Sequence, residues 1–103
     1  MLAIESAEYV DGYRLRLTFN DGKAGIADLH RVLCDDPRPV FSALRERRGS
    51  FREFRVESDT VCWVNGPDIA PEYLYFLAFQ DDPALRELFE KWGYSRERAV
   101  ADR

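Results

Sequence analysis

The sequence predicts an α+β domain: a small, mostly antiparallel sheet of about five strands packed against two or three helices. Three observations carry this. Residues 13–19 alternate, with Tyr13, Leu15, Leu17 and Phe19 on one face and Arg14, Arg16 and Thr18 on the other, the period of a half-buried strand. Turn signals at Asp11-Gly12, Asn20-Asp21-Gly22 and Ser58-Asp59 separate short strand-like runs. Late in the chain, Leu85, Leu88, Phe89 and Trp92 recur at the i, i+3, i+4, i+7 spacing of one helix face.

The elements follow in order. Ala3 to Val10 reads as a first strand with poor alternation, and Asp11-Gly12 turns it back into Tyr13–Phe19. Gly22 suits a positive φ, and Lys23 to Ala27 returns as a third strand with Ala24 and Ile26 on one face. Asp28 can cap a short helical turn through Leu33, which Cys34-Asp35-Asp36-Pro37 ends. A helix then starts at Pro39 and runs to about Arg48, with Val40, Phe41 and Leu44 as its stripe and Gly49 as its stop. Phe51 and Phe54 pack near a fourth strand, about Phe54 to Glu57, and Thr60 to Val64 forms the fifth.

From Pro71 the run P-E-Y-L-Y-F-L-A-F is helical, with Leu74, Leu77 and Ala78 at helical spacing. Gln80-Asp81-Asp82-Pro83 breaks it, and a second helix restarts at Pro83 with Asp82 as N-cap. It ends at Trp92 with Gly93 as C-cap, and a mostly charged tail follows Tyr94.

At 103 residues the chain is one domain. A chain of that size buries roughly 60–65% of its unfolded surface, so one core is all it can build. Hydrophobic residues make up 46% and charged residues 33%, a globular balance, and fourteen aromatics supply that core generously. A net charge of −4 disfavours a default nucleic-acid binder. Two cysteines, Cys34 and Cys62, make no disulfide framework. The start lacks a basic n-region and a long apolar h-region, and no apolar stretch is long enough to span a membrane. The expectation is a cytoplasmic protein with reduced thiols.

The densest set of backbone-shaping residues is the run W-V-N-G-P-D-I-A-P-E-Y-L-Y, from Trp63 to Tyr75. Its polar residues have structural uses: Asp68 as a cap for the following helix, Asn65 on its own turn, Glu72 in the first helical turn. The functional reading is that Trp63, Asn65, Asp68 and Tyr75 line a partner- or ligand-binding groove.

Other constellations weigh less. His30 and Cys34, four apart on one helix face, could join Cys62 and an acid such as Asp35 around zinc, but the spacing is not that of a common zinc finger or ribbon. A Cys–His nucleophile pair from the same residues has no orienting third group. The segment R-E-R-R-G-S-F-R-E-F-R gathers Arg45, Arg47, Arg48, Arg52 and Arg55 with two glutamates. It reads as a solvated face or, with Arg48 and Arg52 at its centre, as an anion patch for an acidic protein or nucleic acid. The stripe of the C-terminal helix either docks on its own sheet or forms a homodimer or partner interface.

Phe19, Asp21-Gly22, Asp28-Leu29, Phe41, Leu44, Phe51, Phe54 and the Trp63–Tyr75 run recur in that order in a bacterial family, and the chain resembles domain of unknown function 2442 over about residues 3–76. The resemblance implies a compact α+β domain with a small antiparallel sheet and implies no catalytic activity. Members resemble partners in two-gene cassettes of toxin–antitoxin type, and some carry a helix-turn-helix domain after this one. Fewer than thirty residues follow Tyr75 here, too few for such a domain, and they hold one extra amphipathic helix instead. The expected function is a non-catalytic protein-interaction module, antitoxin-like or regulatory, with a small protein partner and no cofactor. The alternatives are a small-ligand site on the Trp63–Tyr75 turn and nucleic-acid binding through Arg45–Arg55.

Overall fold

The computed structural model describes residues 1–46, 50–63 and 68–94, the side chain of Val40 excepted. Strands β1 (Ile4–Asp11), β2 (Arg14–Phe19) and β3 (Ala24–Asp28) precede helices α1 (His30–Asp35) and α2 (Pro39–Glu46). Strands β4 (Phe54–Glu57) and β5 (Thr60–Trp63) follow, then α3 (Pro71–Phe79), a 3-10 turn (Pro83–Leu85) and α4 (Arg86–Trp92).

β2 is the central strand, antiparallel to both neighbours, and its alternation is realised: Leu15, Leu17 and Phe19 are fully buried. The weak pattern of β1 has a cause in its register, which shifts between Ile4 and Ser6 and again between Tyr9 and Asp11. Each shift resets which face a side chain takes, so no single alternation runs through the strand. In β3, Ala24 and Ile26 do share a face, the exposed one. The inward face carries Gly25 and Ala27, opposite Leu17 and Leu15.

The five expected strands are present, but they form two antiparallel sheets, β1–β2–β3 and β4–β5, rather than one. Ser58 and Asp59 turn the β4–β5 hairpin with φ of 52° and 70°, the positive-φ pair that matches strand twist in a two-residue loop. That turn accepts a backbone hydrogen bond from Ile4 (N–H to Asp59 O, 2.9 Å), which stands in place of a ladder between the sheets. A bulged β1 does not offer evenly spaced donors and acceptors along its outer edge, and so does not template a fourth strand.

The helices close the core. Asp28 accepts from the His30 N–H (2.9 Å) at the start of α1, and Asp36 stops it in an extended conformation ahead of Pro37. α2 buries Phe41 and Leu44; the expected continuation to Arg48 and the stop at Gly49 lie outside the described residues. α3 is apolar nearly all round because it is covered twice, by β3 on one side and by α4 on the other. A Cβ built on Gly25 would lie 2.7 Å from the Phe79 ring, so this glycine lets α3 approach the sheet.

Asp82 caps the 3-10 turn through the Ala84 N–H (2.9 Å), and Gly93 ends α4 at φ 89°, with the Tyr94 N–H reaching Phe89 O (2.9 Å). The α4 stripe docks on its own domain: Phe89 is buried against Phe76 (centroids 5.2 Å), and Trp92 meets Tyr75 (6.1 Å). Among the described residues no helix is long and apolar enough to cross a membrane.

Candidate functional site

The segment after β5 is held alongside that strand. Asp68 forms an isolated antiparallel bridge with Cys62, and the Thr60 hydroxyl donates to the Ile69 carbonyl. Ile69 is buried beneath while Asp68 and Ala70 face outward. α3 then starts with Ala70 as its N-cap residue and no side-chain cap, so Asp68 does not take the capping role the sequence suggested for it. Pro71 at the first helical position brings no N–H of its own to satisfy, and the Tyr73 N–H is taken by the Ala70 carbonyl (3.0 Å).

The three described residues among those singled out in the sequence have different surroundings. Trp63 is 4% exposed, donates its indole N–H to the Phe51 carbonyl (2.8 Å) and packs on the Phe51 ring (5.6 Å). Tyr75 is equally buried, at 4%, and its hydroxyl donates to Asp21 Oδ2 (2.7 Å) across to the β2–β3 turn. Burial, reinforced by the bond to the Asp21 carboxylate, pushes the Tyr75 phenol up to about 12. Asp68 alone of the described three reaches the surface; Asn65 lies outside the described residues.

Of the arginine patch, Arg52 is exposed with its guanidinium 4.7 Å over the Tyr9 ring, and Arg48 lies outside the described residues. Arg45 donates to the Leu33 carbonyl and Arg55 pairs with Glu57 (2.9 Å). His30 Nε2 and Cys34 Sγ are 3.6 Å apart on α1, whereas the Cys62 thiol turns to the Arg55 carbonyl (3.7 Å). Among the described residues no three His, Cys, Asp or Glu side chains converge as a metal site would need.

What the structure does assemble is an open groove of about 600 Å³ between α1, the α1–α2 link and the start of α3. Val32, Phe41 and Ile69 supply apolar lining, and Arg31, Asp35, Asp36, Arg38 and Asp68 the polar lining, with Tyr73 at one wall. The link is rigid for a local reason. Asp36 accepts from the Arg38 backbone N–H (3.0 Å) and takes its guanidinium in a two-pronged bond (2.7 and 3.0 Å), while Pro37 and Pro39 fix the flanking backbone. Those bonds from Arg38 hold the Asp36 carboxyl below the usual carboxylate range. The guanidinium also lies over the Phe41 ring (4.9 Å). Arg31 pairs with Asp35 at 3.8 Å. Burial raises the Tyr73 phenol, helped by Tyr94 and opposed by Arg31.

Asp68, singled out in the sequence, lines this groove together with Asp36, Arg38 and Tyr73, which the sequence did not single out as site residues. The signal was there in Asp36-Pro37-Arg38-Pro39: an acid and a base two apart, between prolines, is a locked pair rather than a plain helix break. Chemically the arrangement suits recognition of another molecule by an apolar floor with charged groups around it.

Comparison with known proteins places one family on the chain. The family described as protein of unknown function (DUF2442) matches residues 4–80, from the start of β1 to just past α3. No curated protein and no solved structure matches.

Proposed function

We propose that this chain, which belongs to the DUF2442 family, is a non-catalytic protein-interaction module that receives part of a small partner protein in the groove beside Asp68. One observation carries the reading: an open groove of about 600 Å³ whose apolar floor is bordered by charged side chains. Apolar contact there gives affinity, and the charges select orientation and partner. An antitoxin-like or regulatory role for a small protein is the form of this module that the family resemblance favours. The cytoplasm is the compartment that suits it, since Cys34 is an exposed free thiol.

The test is affinity purification from the host with the unaltered chain and with two surface variants, Asp68→Lys and Arg38→Glu. The expected result is one protein retained in equal amount by the unaltered chain and lost from both variants. A chain that elutes alone at every salt concentration, or a partner indifferent to both changes, overturns the reading.

The volume also lies within the roughly 300–1,000 Å³ of small-molecule sites. A small-ligand module is therefore the second reading, and it predicts a rise in melting temperature when a metabolite binds.

A further inference from the structure

We propose that the groove's occupant is a segment of the partner carrying a lysine or arginine next to an apolar side chain, with Asp68 pairing with the cation. This rests on the interaction-module reading and deepens it.

The charge pattern of the groove decides the sign. Two guanidinium groups and three carboxylates line it, a net of −1. Both arginines are engaged from within: Arg38 by the two-pronged bond to Asp36 at 2.7 and 3.0 Å, Arg31 by Asp35 at 3.8 Å. No described residue forms an ion pair with Asp68, whose side chain projects from a segment fixed by the Cys62 bridge and the Thr60 hydroxyl. An anionic occupant would find Arg38 already neutralised by Asp36 through Nε and Nη2, and would meet the Asp68 carboxylate on the same lining. A cationic one meets a carboxylate already in place, and breaks no ion pair made by a described residue. The apolar side chain beside it has Ile69 and Val32 to cover. The chain's overall charge of −4 steers in the same direction.

The pair is solvent-exposed, so its discrimination is modest: an exposed ion pair of about 0.2–1 kcal/mol corresponds to roughly a 1.5- to 5-fold preference.

Three capped tripeptides test this by backbone-amide NMR on the isotope-labelled chain: Leu-Lys-Phe, Leu-Gln-Phe and Leu-Glu-Phe. The expected result is that shifts concentrate at Arg38, Ile69, Ala70 and Tyr73, and that Leu-Lys-Phe binds about 1.5- to 5-fold tighter than Leu-Gln-Phe and tighter still than Leu-Glu-Phe. The preference should fade with added salt and vanish in Asp68→Asn, a change to an exposed side chain. The proposal is overturned if Leu-Glu-Phe binds as well as Leu-Lys-Phe, if the shifts map elsewhere, or if none of the three moves the groove amides at concentrations on the order of 10 mM. If a co-purified partner is lost from the groove variants while the peptides show no charge preference, the interaction module stands and the cation assignment falls.

Discussion

Trp63 illustrates how a residue conspicuous in sequence can be structural in three dimensions. Its indole N–H is a buried donor to the Phe51 carbonyl, tying β5 to the segment before β4. Trp63→Phe would leave that carbonyl unsatisfied and a small void beside the Phe51 ring. We expect a loss of about 1–3 kcal/mol in urea unfolding, read as a lower midpoint at an unchanged m-value. Tyr75 and Asp21 form the other long-range tie, and they fix a pH window. Burial works against the Asp21 carboxylate, but hydrogen bonds from the Lys23 N–H, the Tyr75 hydroxyl and its own backbone N–H, with the Lys23 charge, outweigh it and lower its pKa. A lowered carboxyl stabilises the fold above its unfolded value and loses that contribution as pH falls through the folded value. Tyr75, raised to about 12, contributes fully below the ordinary tyrosine value near 10 and loses its contribution as pH rises through about 12. Tyr75→Phe should therefore flatten both limbs of a stability–pH curve. A double mutant with Asp21→Asn that merely adds the two single effects would break this account. Nothing local in the sequence joins Asp21 to Tyr75. A bond across 54 positions follows from how α3 lies on the sheet, and the sequence offered Tyr75 only as one lining residue of a groove.

Among elements, those with local causes were legible before the structure. β2 announced itself by alternation, α4 by its stripe, and the turns by their glycines and acids; Asp82 and Gly93 cap as their chemistry requires. The division into two sheets was not legible, because it depends on register shifts in β1 that no side chain dictates. The inward face of β3 was obscured for a related reason: Gly25 and Ala27 are small where a core face normally shows bulk, and the bulk comes from α3 instead. This sets two principles against each other at Gly25. Strand propensity favours Gly25→Val by up to about 1 kcal/mol, whereas forcing the Phe79 ring aside costs about 1–3 kcal/mol. Packing should win, so the variant is expected to unfold at lower urea than the unaltered chain, with Gly25→Ala in between.

For the whole molecule, the order of layers matters: α4 on α3, α3 on β3, and the three-stranded sheet with the β4–β5 hairpin at its edge. Phe89 is the buried anchor of the outermost layer, touching Phe76 and Tyr75. Phe89→Ala should cost about 3–5 kcal/mol, a large part of what a domain of this size has to spare. Calorimetry should still show one transition, shifted downward, if the layers unfold together. The family match ends at residue 80, so α4 lies wholly beyond the part of the chain that defines the family. Joined to α3 by so short a connection, α4 acts as a ligand tethered beside its own site. The effective concentration of such a neighbour is of millimolar order or higher. A second molecule placed on the Phe76 side of α3 would have to displace Phe89, while the groove at Asp68 has no α4 residue in its lining. In this chain α4 thus covers one of the two faces by prior occupancy.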